Sequence, residues 1–397
     1  MNPIAHALVL NLHQPAGNLE YLLEHREWEA KEILYALDRI PRFLWQYEGR
    51  GRVHLALSGT LLETLSNPEF QARVYGSVDC GGLLWHYQNR RIIDVLGGAY
   101  YHPVLPLIPA DDRPEHLARW RGIARHLFWR EHFDGFWPPE MAFCMELIPL
   151  LARFGYRYVL VDSEHVEPVT PMRWDELRYR PHVARQDGDE IIVVVRDREL
   201  SDAQEAGMEY EWFRREVCAR TRWCDFPPLV TTCTDGENGG WFRNTNMESN
   251  FWGAFYRELL ARETEEPAIR PAFIHEYLAQ HGAHGEVRIR SGAWNTGWHH
   301  GRDFTQWTGS VAQREALARV AGVSQAIHDT RWAIGERFPH DGELWREIED
   351  AMWHLLRAET SCNFYWGEAW VGRCHHDLDR AQVSLDRARP ALSVAER

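Results

Sequence analysis

Nothing in the 397-residue sequence reaches the roughly 18–20 consecutive apolar residues that a membrane-spanning helix needs. Basic charge is also in deficit, with 44 Lys and Arg against 58 Asp and Glu and a net charge of −14. A nucleic-acid binder needs a basic face to meet phosphates, so that class is excluded. Cysteine is sparse and odd in number, seven in all, with no CxxC pair. That pattern fits free thiols in a reducing compartment and not a disulfide framework. The first 14 residues lack a basic segment followed by a long apolar stretch and a small-residue cleavage site. They read as a buried strand rather than a signal peptide, and the expectation is a cytoplasmic protein. No low-complexity segment, internal repeat or long linker interrupts the chain, and nothing in it specifies an oligomeric state.

What the sequence does have is aromatic side chains: 19 Trp, 14 Tyr and 16 Phe. Aromatics bury large areas, so core packing explains part of this. The other use is a carbohydrate cleft. A sugar ring stacks its C–H face on an aromatic face, and its hydroxyls need carboxylates, amides and imidazoles. Composition leaves both uses open.

Residues 4–12 form an apolar run that ends at His13-Gln14-Pro15 and predicts a buried strand. Further strands are expected at 53–58, 158–162, 190–195 and 229–233. Helical patterns occupy 28–48, much of 69–95 with a break near Gly81-Gly82, 114–132, and a stretch that reaches Phe154. Gly155 fits a helix C-terminus. Strands that alternate with helices imply a mainly parallel sheet, and continuous apolar strands imply that both faces are covered. The polar clusters all follow strands, which is where closed α/β barrels carry function. No strand pattern returns after Arg290, and three helical patterns follow at 311–334, 342–359 and about 366–392.

Two clusters carry the chemistry. Phe136-Trp137-Pro138-Pro139-Glu140-Met141-Ala142-Phe143 sets a carboxylate after a rigid extended segment, because paired prolines block a helix start. Leu229 to Asn238 runs an apolar strand straight into Asp235-Gly236-Glu237. The barrel reading places Glu140 and Asp235 on one rim.

Five segments in this order resemble the motifs of glycoside hydrolase family 57, the α-glucan-active amylases, amylopullulanases, 4-α-glucanotransferases and branching enzymes. They are His13-Gln14-Pro15, Tyr100-Tyr101-His102-Pro103-Val104-Leu105-Pro106-Leu107, Gly135 to Phe143, Thr234-Asp235-Gly236-Glu237-Asn238, and Ser291-Gly292-Ala293-Trp294 through Phe304-Thr305-Gln306-Trp307-Thr308-Gly309. The resemblance implies an α/β fold: an incomplete (β/α)7 barrel followed by a C-terminal helical bundle. On this chain that means a catalytic barrel over 1–285 and a helical domain over 286–397, with a Trp-rich loop joining the cleft.

The resemblance also implies a retaining mechanism, with Glu140 as nucleophile and Asp235 as general acid/base. His13 and His102 would then hydrogen-bond the sugar. Glu237 would orient Asp235, bind a hydroxyl, or merely cap the next segment. Trp137, Trp294 and Trp307 are candidate stacking platforms, and Asp303 either faces the cleft or is solvated. The expected partner is an α-glucan or oligosaccharide, and no cofactor is implied. Arg196-Asp197-Arg198 through Asp202 reads as an ion-pair network on the rim. The pairs His299-His300 and His375-His376 lack HxH or HxxxH spacing, so no metal set is expected.

The reading that ranks first is amylase-like hydrolysis of α-1,4-linked glucan by double displacement. A 4-α-glucanotransferase or a branching enzyme is the alternative within the family, and the chain looks short for the latter. From other classes the rivals are a metal-dependent sugar-chain enzyme and a non-catalytic glucan-binding homologue.

Overall fold

A computed structural model describes residues 2–294, 303–338 and 340–394. Eleven strands are found among them: β1 (Ile4–Leu12), β2 (Val53–Leu57), β3 (Ile93–Leu96), β4 (Gly135–Phe136), β5 (Tyr158–Asp162), β6 (Val166–Pro168), β7 (His182–Gln186), β8 (Asp189–Arg196), β9 (Leu229–Asp235), β10 (Ile269–Pro271) and β11 (Val287–Ile289). The main sheet runs β3-β2-β1-β9-β8-β5-β4, and every pairing along that path is parallel. A parallel bridge between Gly97 and Phe136 brings the two edge strands together, which nearly closes a seven-stranded barrel. Along the strand path the pairing is thinnest at β8–β9, where Arg196 and Thr231 are the one register pair.

β1 is central because its sequence suits a strand covered on both faces. Ala7 through Leu12 are buried throughout. Each of the two polar side chains within it finds a partner: His6 Nε2 lies 2.9 Å from Thr232 Oγ1, leaving its Nδ1 unpaired, and Asn11 reaches Asp235. The closing bridge depends on two glycines. A Cβ on Gly97 would meet the Tyr156 ring at 2.2 Å, and one on Gly135 would meet the Tyr158 ring at 2.2 Å.

The helical C-terminal region follows its patterns closely, with helices Val311–Arg337, Gly342–Ala358 and Val371–Val394. Ser310 and Gln313 form a capping box at the first, and Asp341 caps the second. A short helix, Cys362–Tyr365, lies between the second and third. This region is stitched to the barrel where Ser361 N–H donates to His102 O at 3.0 Å and Pro103 bridges Thr360.

Three expectations are corrected. Residues 69–95 are not one broken helix. Helix Pro68–Val74 ends well before Gly81, helix Cys80–Tyr87 is capped by Asp79, and 93–96 is the strand β3. Gly81 and Gly82 sit in a helix N-terminal turn, where Gly82 N–H donates to Asp79. The stretch before Phe154 is two single turns, Pro139–Met141 and Met145–Leu147, leading into a short helix, Ile148–Arg153. Strands β4, β6, β7, β10 and β11 went unforeseen, because four of them are only two or three residues long and β7 mixes polar and apolar positions. No helix among the described residues is long and apolar enough to cross a membrane.

Candidate active site

The carboxyl ends of the strands open into a cleft of about 1140 Å³. Asn11, His13 and Gln14 enter from the end of β1, and His102 from the loop after β3. Glu140 enters after β4 and Asp235 ends β9. The two acids that the sequence singled out, 95 residues apart, therefore share one cavity.

Glu140 is held with unusual firmness. Its backbone has φ 58°, and those of Met141 and His102 have φ 46° and 55°. Non-glycine residues in this left-handed region cost about 1–2 kcal/mol each and gather at functional sites. Pro138 supplies the extended approach to the turn. The Ser361 hydroxyl donates to Glu140 Oε1 at 2.7 Å, and the Trp294 indole N–H donates to Oε2 at 2.9 Å. Both partners donate to this group, and the indole N–H can only donate, which suits an ionised carboxylate. Burial nevertheless pushes the Glu140 carboxyl up to about 7, against the pull of those two donors, and the negative charge of Asp235 adds to the rise.

Asp235 accepts from the Asn11 amide at 2.8 Å and from Asn238 at 3.4 Å. Burial raises its pKa as well, opposed by both amides and by Arg196. Glu237 points the other way. Its Oε1 accepts the His13 backbone N–H at 2.8 Å, and burial followed by the charge of Asp235 lifts its pKa far above the ordinary value. It thus ties the β9 loop to the end of β1.

His13 and His102 stack face to face, with centroids 4.0 Å apart and planes 7° from parallel. Burial lowers His13 to about 3 and His102 well below its ordinary value, so both rings are neutral. His102 Nδ1 lies 3.4 Å from Ser361 Oγ, which already donates to Glu140, so the nitrogen carries the proton there. His13 Nδ1, His102 Nε2 and Glu237 Oε2 are buried with no hydrogen-bond partner among the described residues. Unpaired buried polar atoms are costly unless a ligand meets them.

The aromatic candidates separate. Trp294 lines the cleft and packs edge-on against Trp137, with centroids 5.3 Å apart. Trp137 is 1% exposed and backs Trp294 from behind. Trp307 is fully buried against Tyr365, so its ring offers no face to a sugar. The stacking expectation for Trp137 and Trp307 is corrected accordingly: both are packing residues here. Asp303 is exposed, accepts from Thr305 at the start of the short helix Thr305–Thr308, and does not line the cleft.

Arg196 pairs with Asp162 and Asp202, each at 2.7 Å, and Arg198 bonds both Asp162 and the Trp294 carbonyl. The network expected on the rim thus holds the Trp294 segment in place. His376 lines the cleft. The pair His299-His300 lies outside the described residues. No group of three or more metal-binding side chains occurs among the described residues.

Sequence reasoning missed what the helical region contributes: Ser361, which holds Glu140, and a wall of Cys362, Tyr365, Trp366 and Trp370. The one local signal for it was the break between two helical patterns near residue 360.

The family model for glycosyl hydrolase family 57 matches residues 8–290. The chain belongs to glycosyl hydrolase family 57. An α-amylase from Pyrococcus horikoshii is 27% identical over 191 residues, which is 47% of this family 57 chain and 27% of that protein. Among solved structures, a family 57 branching enzyme from Thermococcus kodakaraensis superposes with a TM-score of 0.74 at 15% identity, covering 98% of this chain and 90% of that one. A 4-α-glucanotransferase from Thermococcus litoralis gives 0.66 at 19% identity, covering 98% of this chain and 60% of that one. The chain thus matches about a quarter of the amylase's length and three-fifths of the glucanotransferase's.

Proposed function

We propose that this chain is a retaining glycosidase acting on α-1,4-linked glucan or maltooligosaccharides. The observation that carries the reading is the pair of desolvated carboxylates, Glu140 and Asp235, on strand ends facing one cleft, with Glu140 fixed by two donors. Family membership and the similarity to an α-amylase support the substrate class.

In the reaction, ionised Glu140 attacks the anomeric carbon while protonated Asp235 gives its proton to the leaving glycosidic oxygen. The covalent glycosyl ester on Glu140 is then released by water or a sugar hydroxyl, which Asp235, now a base, deprotonates. Burial raises both carboxyls, and one proton between the two is the competent state. His13 and His102 bring unpaired polar atoms to the sugar hydroxyls, Trp294 offers an aromatic wall, and Glu237 holds the end of β1 from behind the cleft. The barrel over 1–285 carries the two acids, and the helical domain over 286–397 completes the cleft through Cys362 and Tyr365 and supplies Ser361 to Glu140.

The entering group decides between hydrolysis and transfer. Incubation with maltooligosaccharides of one length separates the outcomes. Only shorter products with new reducing ends mean hydrolysis, whereas a ladder longer and shorter than the input means transfer. Unchanged substrate overturns the reading.

A further inference from the structure

Among the described residues nine tryptophans are 48% or more exposed, and three of them stand in a row away from the cleft. Trp45 ends helix Glu27–Trp45, which leads into β2. Trp85 lies in the last turn of helix Cys80–Tyr87, which leads into β3. Trp129 follows helix Arg113–Phe128, which leads into β4. These three strands are neighbours, because β2 pairs with β3 and Gly97 bridges Phe136. Helices between parallel strands run back toward the strands' amino ends. The row therefore lies at the barrel end opposite Glu140 and Asp235.

The indoles are 48%, 59% and 85% exposed in order. The rings of Trp45 and Trp85 are 6.5 Å apart, and Trp85 and Trp129 share a groove of about 710 Å³. Gln88, Arg125 and His126 line the same groove with polar groups. Its aliphatic side chains, Leu84 and Leu127, are turned in and at least half-buried, so the apolar surface on offer is aromatic.

Trp129 adds an independent sign. It closes its helix in the left-handed conformation, φ 51° and ψ 43°, a position that favours glycine. A bulky residue there costs about 1–2 kcal/mol, and a ring 85% exposed has little packing to offset it. Folding alone gives no reason for tryptophan at this position.

We propose that Trp45, Trp85 and Trp129 form a second glucan-binding site that holds a polymeric chain on the face opposite the cleft. Successive sugar rings of a linear chain match a row of separate indole faces, and Gln88, Arg125 and His126 meet hydroxyls along its edge. The identity of the sugar rests on the reading of the cleft as α-glucan-active.

The test is affinity electrophoresis of the full chain through gels with and without glycogen, beside turnover of a short maltooligosaccharide. Trp85→Ala/Trp129→Ala is expected to weaken glycogen retention by about tenfold or more while leaving kcat/KM on the short substrate unchanged. Trp129→Gly removes the ring and relieves the backbone, so its Tm is expected to hold or rise while retention falls. Three results overturn the proposal: wild-type migration unaffected by glycogen, retention of the variants equal to wild type, or a change in oligomeric mass without a change in retention. Failure of the cleft reading shows separately, as a short maltooligosaccharide that wild type leaves intact.

Discussion

The two ends of this barrel spend their polar and aromatic residues in opposite ways. At the carboxyl end, Glu140, Asp235, Glu237, His13 and His102 are drawn out of water and pinned by donors from β1, the β9 loop and the helical region. At the amino end, tryptophans are pushed into water with little to cover them. The first arrangement shifts pKa values and fixes the carboxylate proposed as nucleophile. The second offers flat faces to solvent. Chemistry needs the former, and holding a sugar chain needs the latter.

The largest effect expected at the carboxyl end is from Glu140→Gln or Asp235→Asn. Each should cut kcat by about a thousandfold or more on maltooligosaccharides, since each removes a reacting group. Residual activity within tenfold of wild type would erase the distinction between the two ends.

Trp307→Ala sharpens the comparison from inside the fold. Trp307 is fully buried, so the change should cost about 3–5 kcal/mol in chemical denaturation. Trp129→Ala should cost under about 0.5 kcal/mol. Equal losses would mean that the exposed ring packs more than its surroundings indicate.

Ser361→Ala is next. It removes a donor that lowers Glu140, so the acid limb of kcat/KM should move to higher pH and kcat should fall by about tenfold. Ser361→Thr keeps the hydroxyl and should restore the limb. A fall in kcat with an unmoved limb would make Ser361 a packing residue only.

The smallest effect is on stability. A carboxyl whose folded pKa lies above its unfolded value binds protons more tightly when folded. The contribution from Glu140 is therefore complete below about 4.5 and is lost as pH rises through about 7. Glu140→Gln should flatten that fall in unfolding free energy between those limits. An unchanged slope would show that Glu140 titrates as it would in water.

Much of this was legible in the chain. The β1 run was readable because its apolar residues are continuous, and Glu140 and Asp235 because each follows a recognisable strand end or proline pair. The roles of Trp137 and Trp307 were not, since an indole in a cleft motif and an indole behind it look alike in sequence. Nor was Ser361, whose importance depends on a meeting with Glu140 221 residues away. The row of exposed tryptophans was equally hidden, because an indole at a helix end reads the same in sequence whether it packs inward or faces water.

The central claim is that Glu140 becomes covalently glycosylated while Asp235 moves the proton. Its most direct test is mass spectrometry of Asp235→Asn after brief exposure to an α-glucosyl fluoride, whose leaving group needs no acid. The account predicts a gain of one glucosyl unit, located on Glu140 by peptide mapping. An adduct on another carboxylate, or none in a variant that still consumes the fluoride, would contradict it.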